Sequence, residues 1–309
     1  MQIRQAAFVN APEHFLKGGL HCHTTRSDGR LDPGETIRLH ASHGYDFLAL
    51  TDHRYYNFAD YAPESGVLIV PGMEMDGNIT TDEGMCFHTV CIGLEGEANG
   101  FKQDERFQSA VVKDQFEYQP VVDELRAKNN LVIYCHPDWS CTPARSFEKL
   151  EGCFAMEIWN SGCVVENNED VDNGLIWDEL LVRGKRIFAV ATDDGHQSWQ
   201  HCLGWVNVNA EKNVDSILRA LESGAFYSSC GPEIYDFRVE DGVATVECSP
   251  VAQIQFRHLR APYPMAVAPA GESVTRHSVR LRPGKNYVRA VVMDAQGRRA
   301  WTNPIFYED

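Results

Sequence analysis

Over its first 230 residues the chain alternates short apolar runs with helical patterns, and few architectures accommodate that order. Candidate strands cover 19–23, 47–51, 67–71, 87–93, 131–136, 155–160, 187–192 and 204–208. Candidate helices cover 33–43, 121–129, 175–183 and 214–223. Asp32-Pro33 is a helix start, and Gly44 and Gly224 are helix stops. Alternation of this kind predicts a parallel sheet or barrel of α/β class. A length of 309 residues suits one such barrel with an appendage.

After Gly231-Pro232 the texture changes. Residues 236–239, 243–248, 254–258, 278–281 and 287–293 alternate with period two between Asp-Gly, Ser-Pro and Pro-Gly turns. This predicts a small antiparallel β-sandwich. The expected division is therefore 1–232 and 233–309.

Ligand-type residues gather where the candidate strands end. His21 and His23 are two apart on one strand and point to the same side. Asp28 follows in Ser27-Asp28-Gly29, and His53 closes Thr51-Asp52-His53. Glu74 stands in Gly72-Met73-Glu74, His88 in Cys86-Phe87-His88, and His136 in Cys135-His136-Pro137. Asp193, Asp194 and His196 end the run at Thr192-Asp193-Asp194-Gly195-His196. Imidazole and carboxylate suit Zn, Mn and Fe, and barrels build their sites at the C-terminal strand ends. One histidine at a strand end is commonly structural. Seven of about eight strand ends carrying His, Asp or Glu at one edge is a joint signal.

The order His-x-His, Ser-Asp-Gly, Thr-Asp-His, Gly-x-Glu, His, His-Pro, Asp-x-His resembles the PHP (polymerase and histidinol phosphatase) family over roughly residues 17 to 230. A barrel followed by Gly-Pro and a β-domain is similar to its CehA/McbA-like branch, which includes a carbamate-ester hydrolase. The resemblance implies a distorted (β/α)7 TIM-like barrel and two or three divalent metal ions, Mn, Fe or Zn. It implies that His21, His23, Glu74 and Asp194 hold the first, and that Glu74 bridges to a second held with His88 and His136. It places Asp28, His53 and His196 on a third, although some relatives carry histidine where Asp28 stands. The Asp-x-His signature selects Asp194. Its neighbour Asp193 faces the other way on an extended chain, as a support behind the metal if not a ligand.

Divalent ions held close together acidify a bridging water and polarise the electrophile. The expected nucleophile is thus a metal-bound hydroxide. The chain contains no Gly-x-Ser-x-Gly elbow and no P-loop. Arg54, and after it Arg26 and Arg145, are either a clamp for phosphate or surface ion pairs. Trp139 either walls the pocket or packs the barrel; Asn160 either orients substrate or caps a loop. His201 is either a general acid for the leaving group or a loop residue. His40 and His43 read as surface positions of a helix, Cys22 and Cys135 as core. Three functions share these parts: a phosphoesterase for a small phosphorylated metabolite or nucleotide, a carbamate, amide or ester hydrolase, and a metal-dependent binding module.

Net charge is −16, and the residues from Glu233 onward hold 10 basic against 9 acidic side chains. All the acidity therefore lies in the first 232 residues, with 18 basic against 35 acidic. Such a field repels nucleic acid in bulk and points to a small-molecule substrate. No run of 18 apolar residues predicts a membrane span. Residues 1–19 lack the apolar core of a signal peptide. Ten cysteines without a Cys-x-x-Cys pair fit a reducing compartment, the cytoplasm. Oligomeric state is left open.

Overall fold

The computed structural model describes residues 2–79, 85–94, 100–167, 172–258, 263–283 and 287–307. The fold is mixed α/β, with six α-helices and three sheets among those residues. None of the helices is long and apolar enough to cross a membrane, and all ten cysteines are unpaired.

The strands expected to form one barrel fall into two sheets. Leu16–Gly19, Phe47–Leu48 and Leu68–Ile69 pair in parallel. A second sheet carries Gly72–Ile79, Cys86–Gly93, Asn130–Tyr134, Cys153–Asn160 and Phe188–Thr192 side by side. Its last three strands are parallel, but Cys86–Gly93 runs antiparallel to both of its neighbours. Gly72–Ile79 escaped the sequence reading because Glu74, Asp76, Gly77 and Asn78 are poor strand formers. No ladder among the described residues closes the two sheets into a barrel. Single parallel bridges join them instead, Cys22 to Gly195 and His53 to Glu74. Both bridges lie at the end that carries the ligand-type residues.

Local chemistry sets the helix boundaries. Pro33–Ser42 opens with a capping box, in which Asp32 accepts from the Glu35 amide and Glu35 accepts from the Asp32 amide. Gln115–Ala127 starts six residues before the predicted 121–129 helix. Asp114 accepts from the amides of Phe116 and Glu117 and so fixes the start, and Pro120 is absorbed within the second turn.

The C-terminal strands form two layers. Ile234–Glu240, Val243–Val251 and Val274–Arg280 make one sheet, which Gln2–Arg4 extends at its edge. They face Gln253–Arg257, Tyr287–Met293 and Arg299–Thr302 across a core of Phe237, Val246, Ile254, Phe256 and Val292. The second layer continues without a break through Phe226–Ser229 and Trp205–Val208 to Leu16–Gly19.

One buried ion pair fastens the second layer to the helical side. Asp178, on helix Gly174–Val182, meets Arg289 through two bonds of 2.8 and 2.9 Å. Arg257 and the Tyr287 hydroxyl also donate to it, at 2.9 and 3.1 Å, and the Arg289 guanidinium lies 4.6 Å over the Trp177 ring. Removing one partner of a buried pair strands the other charge, at a cost of about 3–5 kcal/mol. Asp178→Ala is therefore expected to lower the unfolding free energy by about 3–5 kcal/mol in urea titration. A loss below about 1 kcal/mol, the scale of a surface pair, would show that the pair does not anchor this layer.

Candidate metal centre

The ladder of Leu16–Gly19 stops short of His21, and the next residues are held by the Cys22–Gly195 bridge. Cys22 packs with Ile37, Leu48 and Leu50, so His21 and His23 project to the opposite side. There His21 Nε2 and His23 Nε2 lie 3.2 Å apart. Glu74 Oε2 is 3.3 Å from the first and 3.1 Å from the second. Asp194 Oδ1 is 3.2 and 3.0 Å from the same two atoms. Donors about 2.0–2.1 Å from one tetrahedral ion stand roughly 3.3 Å from each other. All four residues are buried, and Asp194 Oδ1 has no hydrogen-bond partner. The donor set fits a divalent cation.

Glu74 turns its other oxygen to a second group. His88 Nδ1 is 2.9 Å and His136 Nε2 3.4 Å from Oε1. Asp28 collects a third: His23 Nδ1 at 3.4 Å, His196 Nε2 at 3.5 Å and His53 Nε2 at 3.7 Å. The structure thus brings together all nine of the expected ligands. Asp28 is the half-exposed one, and it sits at the rim.

A ring of other groups aims these side chains. Glu157 is fully buried and accepts from His21 Nδ1 at 2.7 Å, the His136 amide at 2.8 Å, Asn160 at 2.9 Å and the Thr192 hydroxyl at 2.7 Å. Holding the His21 proton on Nδ1 leaves Nε2 bare toward the cluster. The Asp194 carbonyl does the same for His196 at 2.9 Å, and the Ser140 hydroxyl bonds His136 Nδ1 at 2.9 Å. Asp52 accepts from the amides and hydroxyls of Thr24 and Ser27 and so shapes the turn that carries Asp28. The sequence reading gave Glu157 and Asp52 no role. A lone carboxylate inside the apolar strand Cys153–Asn160 was the signal that could have found the first.

Two ligands sit in left-handed backbone, His136 at φ 24° and Asp194 at φ 49°. Non-glycine residues there cost about 1–3 kcal/mol and need surrounding structure to hold them. At Asp194 the turn sends consecutive side chains apart. Asp194 enters the cluster, while Asp193 accepts from the amides of Cys202, Leu203 and Gly204 at 2.7–2.8 Å.

Electrostatics agree with the geometry. Burial works against charge at His21, His23 and His88, yet the adjoining carboxylates override it. His23 and His88 are raised to about 10, and His21 well above its ordinary value. Burial would also favour neutral acids at Glu74 and Asp194, but the imidazoles around them hold both well below the usual carboxylate range. The cluster attracts positive charge in whatever form is available.

The open side of the cluster is a cavity of about 320 Å³. Trp139 lines it, with its ring 4.9 Å from that of His136. Cys163 and Glu166, from helix Ser161–Asn167, and Gln197 complete the wall; nothing in the sequence pattern marked them. Among the described residues no lysine or arginine lines the cavity. Arg54 pairs with Asp76 at 3.2 Å, Arg26 bonds Tyr61 and Asp104, and Arg145 is exposed on the short helix Ala144–Phe147. Asn160 lies behind the wall and donates to Asp194 Oδ2 at 3.0 Å. His201 is buried outside the lining, and burial with the neighbouring His40 lowers it to about 4.

No family model matches the chain. A stretch of 83 residues is 35% identical to a 5'-3' exoribonuclease of Haemophilus influenzae. That stretch is 26% of this chain and spans only 29% of the relative's length. Among solved structures, a two-domain protein from Bacteroides vulgatus containing a predicted PHP-like metal-dependent phosphoesterase superposes with a TM-score of 0.50. The match covers 94% of this chain and 95% of that one at 15% identity. The two chains share a fold along nearly their whole length. An amidohydrolase from Chromobacterium violaceum, solved with bound sulfate, matches 58% of this chain and 87% of its own at 14% identity and a TM-score of 0.43.

A pH dependence follows for the metal-free protein. His23 and His88 are raised from 6.5 to about 10, so their contribution is complete below pH 6.5 and is lost as pH rises toward 10. Glu74 and Asp194 are depressed, so theirs is present above their ordinary values of 4.5 and 3.8 and is lost as pH falls through the folded ones. With chelator present, Tm from scanning calorimetry is expected to be highest between about pH 4.5 and 6.5 and to decline toward 10. Added metal should reverse the alkaline decline, because ligation requires deprotonated imidazole. A chelated sample whose Tm climbs from pH 6.5 to 10 would contradict this account. Glu157→Gln is expected to weaken metal binding about 10–100-fold by isothermal titration.

Proposed function

We propose that the protein is a metal-dependent hydrolase that cleaves a phosphate ester of a small metabolite or nucleotide. The observation that carries the reading is the pair of buried carboxylates, Glu74 and Asp194, ringed by imidazole nitrogens at 2.9–3.4 Å. His21, His23, Glu74 and Asp194 would hold one divalent ion, Glu74, His88 and His136 a second, and Asp28, His53 and His196 a third. Ions of the Mn, Fe or Zn class bound there would acidify a coordinated water and polarise the ester oxygen. The chain's own part is positional. Glu157, Ser140 and the Asp194 carbonyl fix the ring orientations, and Trp139 offers a flat wall beside His88 and His136.

The shared fold with a protein containing a PHP-like phosphoesterase, and the short likeness to an exoribonuclease, support a phosphorus electrophile. In this reading residues 1–232 are a distorted (β/α)7 barrel opened between its sheets, and 233–309 a β-sandwich appended to it. The ten unpaired cysteines are compatible with a reducing cytoplasm.

A carbamate, amide or carboxylic ester is the second reading, and one observation favours it: among the described residues no cationic side chain lines the cavity. The test is to measure bound metal and then compare p-nitrophenyl phosphate with an aryl N-methylcarbamate in the presence of Mn, Fe or Zn. Hydrolysis of the phosphate ester is expected. Turnover of the carbamate alone would transfer the assignment to the second reading, and a metal-replete protein inert toward both would point to a binding module. Glu74→Ala is expected to lose metal and to reduce turnover by more than about 100-fold, beyond the effect of an outer support; retained activity would remove Glu74 from the centre.

A further inference from the structure

The geometry points to a separate cation site behind the pocket, formed by His40, Asp193 and His201. His40 was expected on the helix surface, yet it is fully buried; Asp193 and His201 are 1% and 5% exposed. Donor atoms of the three residues all lie within 4.8 Å of one another. None of the three lines the catalytic cavity.

The hydrogen bonding leaves this pocket of atoms incomplete. His40 Nδ1 lies 2.8 Å from the Thr36 carbonyl, which can only accept, so the ring proton is on Nδ1. Nε2 is turned to Asp193 Oδ2, 3.6 Å away, and has no hydrogen-bond partner. That distance is too long for a hydrogen bond. The separation is near the roughly 3.3 Å between two ligands of one tetrahedral zinc. His201 stands at right angles to His40, ring centroids 5.4 Å apart, and both of its nitrogens are buried without partners. Buried polar atoms cost stability unless something satisfies them. One divalent ion would engage His40 Nε2, Asp193 and a His201 nitrogen together. Two imidazoles and a carboxylate form a donor set that zinc accepts.

The surroundings are built to seat His201. A Cβ at Gly195 would lie 2.5 Å from His201 Nδ1, so only glycine at that position lets the ring approach the backbone. Asp193 is anchored by three amides, and its Oδ2 takes only one of them, which leaves a lone pair for a metal. An ion here would tie helix Pro33–Ser42 and the 198–204 segment to the residue next to Asp194. The site is therefore structural. Its existence does not depend on the reaction proposed for the pocket.

The test uses the full chain loaded with zinc and freed of excess metal by gel filtration. Elemental analysis is expected to show one equivalent less zinc in His40→Gln and in His201→Gln than in the native chain, with the pocket's complement retained. Equal zinc in all three proteins would overturn the site. Crystals of the zinc-loaded native chain keep the idea falsifiable should the variants fail to fold. An anomalous peak among His40, Asp193 and His201 is expected at the zinc edge, whereas peaks confined to the His21–Glu74–Asp194 cluster would refute it. Loss of hydrolysis with the His40 peak intact would sink the proposed function and leave this site standing.

Discussion

Two carboxylates buried together set the terms for the rest of this molecule. Glu74 and Asp194 are almost wholly removed from water, and both remain anionic because imidazoles crowd them. Charges in such a setting must be paired, or they destabilise the fold by several kcal/mol each. Neutral imidazole can ligate, or accept a proton and become the counter-ion itself. The same residues thus serve two states, a protonated cluster without metal and a ligand cage with it. Proton and cation compete for the same nitrogens.

That requirement explains why order is concentrated at one end of the two sheets. Among the described residues no ladder welds them, yet single bridges link Cys22 to Gly195 and His53 to Glu74 where the ligands sit. The amides of His23 and Asp194 complete the first contact, donating to Gly195 and His21 at 3.1 and 3.0 Å. The left-handed backbone at His136 and Asp194 is held at the same end by Glu157, Ser140 and Asn160. Strain of this kind persists only where neighbours over-determine it, and here those neighbours are the groups that aim the ligands.

The ligands themselves were legible in the sequence because their signal is local. Imidazole or carboxylate at the end of an apolar run states both a chemistry and a place, and the His21-Cys22-His23 alternation states a direction. Less legible was whatever depends on partners far along the chain. Arg54 beside His53 read as either a clamp or an ion pair, and its partner, Asp76, comes from a strand the pattern concealed. Glu157 acquires its role from His21, 136 residues away. His40 looked solvent-facing in isolation; it shares the buried helix face with Thr36 and Ile37 and ends beside Asp193 and His201. The change from parallel to antiparallel pairing at Cys86–Gly93 was hidden for another reason: strand propensity carries no information on direction.

Among the described residues no cationic side chain lines the pocket, so recognition of an anionic ester would fall to the centre itself. Asp28, Glu74, Glu166 and Asp194 line the cavity, and the first 232 residues carry nearly twice as many acids as bases. An anionic ester would be repelled from such a wall until cations reverse the local field. A neutral carbamate meets no such barrier. For a phosphate ester, then, occupancy of the centre would decide binding as well as chemistry, and Arg26, Arg54 and Arg145, outside the lining, would add little. The split between the two readings reduces to one electrostatic condition, set by Glu74, Asp194 and Asp28: whether bound charge outweighs the carboxylates that hold it.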